Sequence, residues 1–233
     1  MTTTDTIAAI ATPYGKSAIG VIRFSGINTH KIIDKFIGHR LEPRFATNTK
    51  IIDEQSNVID DVIAVYYKSP SSYTGEDMLE IQCHGNPVIL DNVLAMLCLK
   101  HATHSRPGEF TEKAFVNNKI DLTQVEAVAD IINATNFDAA KSASLSLQGN
   151  FSNKIDTLIN DVLELRASIE AAINFPEDDS PDVTTSYASK KIKNLLDNVS
   201  KLISSADDGI IINQKPIITI VGKPNVGKSS LAN

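Results

Sequence analysis

The chain has 233 residues, of which 42% are hydrophobic and 6% aromatic, with no Trp. That is enough for one large or two ordinary domains packed mainly by aliphatic side chains. A formal net charge of −6 excludes a surface that grips nucleic acid everywhere, so any RNA contact must be local or supplied by a partner.

In chain order, β-rich runs at Thr6–Ala11, Ala18–Phe24, Val58–Tyr67 and Met78–Cys83 alternate with two helical stretches, Asn28–Ile37 and Pro87–Lys100. This pattern predicts an α+β domain on an antiparallel or mixed sheet. From Lys119 the character turns helical. Asp121 with Gln124 reads as a capping box before Leu122, Val125, Val128, Ile131 and Ile132. A second helix is expected from about Asp138 to Gln148. A third carries Phe151, Ile155, Leu158, Ile159, Val162, Leu165, Ile169 and Ile173 on one face, up to Pro176. The acidic Pro176–Asp182 reads as an exposed loop. A fourth helix should turn Ile192, Leu195, Leu196, Val199, Leu202 and Ile203 inward and close at Asp207, Asp208 and Gly209.

Lys215–Val221 is then an apolar run of the kind found in strands buried on both faces. Directly after it, Gly222–Ser229 matches G-x-x-x-x-G-K-[ST]. The glycines let consecutive backbone N–H groups face phosphate oxygens. Lys228 suits the β- and γ-phosphates, and Ser229 suits Mg²⁺. Gly15-Lys16-Ser17 repeats part of this spelling, but Ile10 stands where the first glycine belongs, so it is not expected to bind phosphate. Residue 233 falls within the first turn of the helix that should follow the loop. The chain is therefore expected to be part of a larger protein, unable on its own to hydrolyse nucleotide or bind it tightly. Any catalytic residues are expected beyond 233.

No apolar run approaches the ~20 residues of a membrane span and no basic signal region opens the chain. Cys83 and Cys98 lack C-x-x-C spacing, which argues for a reducing compartment and against structural zinc. Both read as small buried hydrophobes, and His101 and His104 as solvated histidines. The chain reads as cytoplasmic.

Four segments, Asp5–Pro13, Ser72–Glu80, Cys83–Pro87 and Arg106–Asp121, stand in this order before the helices and the G-x-P-N-x-G-K-S loop. Together they resemble the bacterial and organellar tRNA-modifying GTPases of the MnmE (TrmE) family, over essentially the whole chain. The resemblance implies three parts: a folate-binding, dimerising domain of aminomethyltransferase-like fold at 1–118, the first part of an all-α helical domain at 119–213, and the start of an α/β P-loop GTPase domain at 214–233. It implies a homodimer through the N-terminal domain, in a heterotetramer with an FAD-containing partner of the MnmG (GidA) type. The reaction implied is addition of a carboxymethylaminomethyl or aminomethyl group to C5 of the wobble uridine, U34, of certain tRNAs. The one-carbon unit would come from 5-formyl- or 5,10-methylene-tetrahydrofolate, with GTP, Mg²⁺ and K⁺ also required.

Carried over by position, the folate residues are Arg23, Glu80 and Lys119. The GTP residues are Asn225, Val226, Gly227, Lys228, Ser229 and Ser230, with Asn225 on K⁺ and Ser229 on Mg²⁺. Without the resemblance, Arg23 and Glu80 alternate with apolar neighbours as solvent-facing strand residues, and Lys119 is an ordinary lysine before a helix. Within the resemblance, Glu80 suits the amino and ring N–H donors of a pterin. Arg23 and Lys119 suit an anionic tail or a ring carbonyl. Two other readings stay open: a stand-alone folate-dependent one-carbon transferase, and a non-enzymatic dimerisation module.

Overall fold

The computed structural model describes residues 6–174, 185–213 and 221–222. The chain divides into two compact units, 1–125 and 126–233.

The first unit is a six-stranded mixed sheet in the order β3-β4-β5-β2-β1-β6. Its strands are β1 (Ile7–Ile10), β2 (Ile19–Ser25), β3 (Ala46–Ile52), β4 (Val58–Tyr67), β5 (Met78–His84) and β6 (Thr103–His104). All pairs are antiparallel except β1 with β6. Period-2 alternation sets what each face carries. Ile22 and Phe24 on β2, and Leu79, Ile81 and Cys83 on β5, are buried with the apolar sides of α1 (Thr29–Phe36) and α2 (Pro87–Cys98). Arg23 and Glu80, one residue out of phase, belong to the opposite face. β2 approaches α2 so closely that a Cβ on Gly20 would lie 2.4 Å from Leu90 Cδ1.

The Cys83–Pro87 segment has a local explanation. A Cβ on Gly85 would collide with the Ser17 backbone, which is hydrogen-bonded to it. Asn86 then caps α2 by accepting from the Val88 N–H, and Pro87 fills the first helical position, where its missing N–H costs nothing.

Three elements depart from the expected list. β3 and β6 are strands, and α3 (Glu109–Val116) is a helix, none of which periodicity had marked. β3 pairs only with β4, and its Ala-Thr-Asn-Thr-Lys start gives an edge strand without the apolar alternation of a half-buried one. α3 starts from Gly108 in the left-handed region, φ 78°. The Gly15-Lys16-Ser17 segment leads into β2 rather than a helix, as a chance match should.

α4 (Leu122–Asn133) opens with the expected reciprocal cap: Gln124 N–H donates to Asp121 Oδ1 at 2.9 Å, and Asp121 N–H to Gln124 Oε1 at 3.0 Å. In the second unit α5 (Phe137–Leu147), α6 (Asn150–Asn174) and α7 (Thr185–Asn213) pack together. α7 runs through Asp207, Asp208 and Gly209 instead of closing there. Each costs a helix at most about 1 kcal/mol, too little to stop it. The expected inward face of α7 is corrected, and the apolar face of α6 is only partly covered. Leu165 is buried, but Ile159, Val162 and Ile173 on α6 and Ile192, Leu196, Val199 and Ile203 on α7 are exposed. Three helices packed together do not cover stripes of this width. The acidic Pro176–Asp182 segment lies outside the described residues, and the Lys215–Val221 run does so apart from Val221.

Candidate functional site

Register brings two of the carried-over residues together. Arg23 on β2 stands directly opposite Glu80 on β5. Its Nε donates to Glu80 Oε1 at 2.9 Å, and its Nη2 is ion-paired with the same oxygen at 2.7 Å. Tyr67 Oη donates to Glu80 Oε2 at 3.2 Å. Each carboxylate oxygen offers about two lone-pair directions, so Tyr67 leaves one on Oε2. The pair remains reachable, with 30% of the Arg23 and 16% of the Glu80 side chain exposed. The guanidinium carbon lies 5.7 Å from the Tyr73 ring centre and 5.8 Å from that of Phe110, within range of a cation–π contact with each.

Lys119 stands apart from this pair in its bonding. It is exposed, its Nζ donates to the Pro70 carbonyl at 3.1 Å, and its stem lies against Gly75. It therefore meets the segment between β4 and β5 that also carries Tyr73. Of the phosphate loop only Gly222 is among the described residues. Asn225, Val226, Gly227, Lys228, Ser229 and Ser230 lie outside them, and nothing here adds to their assignment.

Beside the pair lies a polar network that sequence reasoning missed. Lys113, on α3, is 2% exposed, and its ammonium donates to both Glu76 oxygens at 2.9 Å. Ser25 Oγ reaches Glu76 Oε2 at 2.9 Å and Thr74 Oγ1 at 2.6 Å. Tyr73 Oη and Thr111 Oγ1 share a hydrogen bond of 2.9 Å, and Asn117 Nδ2 donates to the Thr74 carbonyl at 2.7 Å. A buried lysine is rare enough that no pattern in E109-F-T-E-K-A114 would announce one.

At the far end of β5, His84 Nδ1 lies 2.6 Å from the buried Asp60 Oδ1, and the His84 N–H donates to Oδ2 at 2.8 Å. Cys83 next to it is buried as expected. Desolvation first, and the Asp60 charge second, push its thiol up to about 12, so it is inert near neutrality. Cys98 is only half-buried against the same core, where burial raises its thiol too. The histidine expectation divides. His104 is exposed, but His101 is not simply solvated: its ring meets Phe36 edge-on at 5.7 Å, and its Nε2 is sealed without a hydrogen-bond partner. Desolvation, then the charges of Lys35 and Lys31, lower its pKa. Among the described residues no group of three metal-ligating side chains converges, and no helix is long and apolar enough to cross a membrane.

Comparison with known proteins agrees with this architecture. A family model described as the GTP-binding protein TrmE N-terminus matches residues 6–119, and one described as the MnmE helical domain matches residues 122–214. The tRNA modification GTPase MnmE of Coxiella burnetii (strain RSA 493 / Nine Mile phase I) is 46% identical over 229 residues, covering 98% of this chain and 50% of that protein. The protein of the same name from Francisella tularensis subsp. novicida (strain U112) is 46% identical over 237 residues, covering 100% of this chain and 52% of its own length. The chain spans about half the length of the curated relatives it matches.

Proposed function

Because the chain belongs to the MnmE (TrmE) family, we propose that it supplies the folate-binding and first helical parts of a GTP-hydrolysing tRNA modification enzyme. The parts are a folate-binding and dimerisation domain at 1–118, helical domain at 119–213 and the opening of a GTPase domain at 214–233. The full protein acts in the cytoplasm as a homodimer joined through the N-terminal domain, in a heterotetramer with an FAD protein of the MnmG (GidA) type. Together they add a carboxymethylaminomethyl or aminomethyl group to C5 of U34 in certain tRNAs.

The observation that carries the folate reading is the Arg23–Glu80 pair with its reachable acceptor on Glu80. A planar heterocycle bearing N–H donors fits that acceptor. With Arg23 on Oε1 and Tyr67 on Oε2, Glu80 takes one ligand N–H on Oε2 while Tyr67 stays in place. Arg23 orients Glu80 through its ion pair, and Lys119 offers a cation to the tail or a ring carbonyl. The tetrahydrofolate derivative, 5-formyl or 5,10-methylene, supplies the one-carbon unit when bound. For the nucleotide, the donor types at Asn225 to Ser230 suit GTP phosphates, with Asn225 toward K⁺ and Ser229 toward Mg²⁺.

Titration of 5-formyltetrahydrofolate into the 233-residue chain by calorimetry tests this. The expected result is about one site per chain, lost in both Arg23→Ala and Glu80→Ala. A folded wild-type chain that releases no heat overturns the folate assignment for these residues.

A further inference from the structure

Neither ring that flanks Arg23 belongs to the sheet. Tyr73 comes from the connection between β4 and β5, and Phe110 from α3. What brings them together is the network around Lys113. Ser25 lies two residues beyond Arg23 on β2 and so shares its face, about 7 Å along the strand. On Ser25 rests Glu76, and on Glu76 the buried ammonium of α3. The 68–77 segment is tied to α3 a second time by Tyr73 with Thr111, and to Asn117 just past α3 by Thr74. Apolar side chains would pack this spot at lower cost than an ion pair whose ammonium is taken out of water. What the pair adds is direction, because an ammonium centred on both oxygens of one carboxylate fixes how α3 sits on the 68–77 segment.

We infer that Lys113 and Glu76 are positioning residues of the Arg23–Glu80 site. Their ion pair, buried on the Lys113 side, sets Phe110 and Tyr73 on Arg23, which fixes the guanidinium on one oxygen of Glu80 and leaves the other able to accept from a planar, donor-bearing heterocycle. Without the pair the rings separate, Arg23 gains other rotamers, and the guanidinium spreads over both oxygens, occupying the remaining acceptor. The identity of the heterocycle rests on the folate reading; the positioning does not.

The chain contains no Trp, so Tyr73→Trp places a single indole beside Arg23, and its emission reports on that wall without ligand. Lys113→Met and Glu76→Gln are each made in that background for fluorescence, and in the native background for affinity toward 5-formyltetrahydrofolate. The expected result is red-shifted emission and about tenfold weaker binding, with unchanged far-UV circular dichroism. Phe110→Leu, outside the ion pair, should weaken binding similarly while leaving the thermal midpoint near that of the parent. Parental emission and affinity in a folded Lys113→Met chain overturn the inference. If neither ion-pair variant folds, Phe110→Leu decides, and an unchanged dissociation constant for it overturns the inference as well. If the parent binds no folate, the folate reading fails, and the emission of Lys113→Met alone decides the positioning claim.

Discussion

His101 is a polar residue held against its chemistry. Its Nε2 is sealed from water with no partner while Lys35 and Lys31 add positive charge nearby, so the folded chain prefers the neutral ring. A pKa lowered from the ordinary 6.5 contributes stability that is present above that value and lost as pH falls through the folded value. Urea unfolding followed by circular dichroism should therefore show the wild-type midpoint falling between pH 7.5 and 5.5. His101→Phe keeps the edge contact with Phe36 and removes the titrating nitrogen, so its midpoint should fall less. Equal falls in the two chains would contradict this account. Arg23 and Glu80 show the opposite economy, since each is polar, half-covered and partnered, with one acceptor direction on Glu80 left for a ligand. Their pairing was invisible in sequence because it joins positions 57 apart, through a register that only the assembled sheet defines. The residue types were legible; the partnership was not.

At the scale of elements, legibility followed burial. β5 and α2 were readable because Leu79, Ile81 and Cys83, and Leu90, Val93, Leu94 and Leu97, are buried at the periods of a strand and a helix. β3 and α3 were not, because an edge strand spelled Thr-Asn-Thr-Lys and a helix anchored through a lysine carry no such period. The cap of α2 gives a direct test. Asn86→Ala removes the side-chain acceptor for the Val88 N–H and should cost about 1 kcal/mol, while Asn86→Asp or Asn86→Ser should cost much less. Chemical denaturation of the three variants measures the difference. A full 1 kcal/mol loss in Asn86→Ser would show that something other than the acceptor holds that turn.

Across the whole molecule the two units are unequal in how they are held. The first buries a continuous core from five strands and two helices, with Phe24, Ile22, Leu79 and Ile81 fully enclosed. The second leaves apolar faces of α6 and α7 in water and buries little more than Ala139, Ala143 and Leu165 among the residues described. Opening energies should differ accordingly. Hydrogen exchange followed by mass spectrometry should show amides of β2 and β5 protected far longer than those of α6 and α7. Similar protection in both units would mean that the exposed helical faces are covered in solution.

The order in which the first sheet can form follows from its one parallel pair. β1, from the start of the chain, lies between β2 and β6, and β6 comes from residues 103 and 104. As the chain leaves the ribosome, Ile7–Ile10 can pair with β2 early, but its other edge stays bare until Thr103 and His104 emerge nearly a hundred residues later. Such long-range closure is slow to reach and leaves an open edge in the meantime. Synthesis thus passes through an interval in which this N-terminal strand is one place where two nascent chains can pair wrongly.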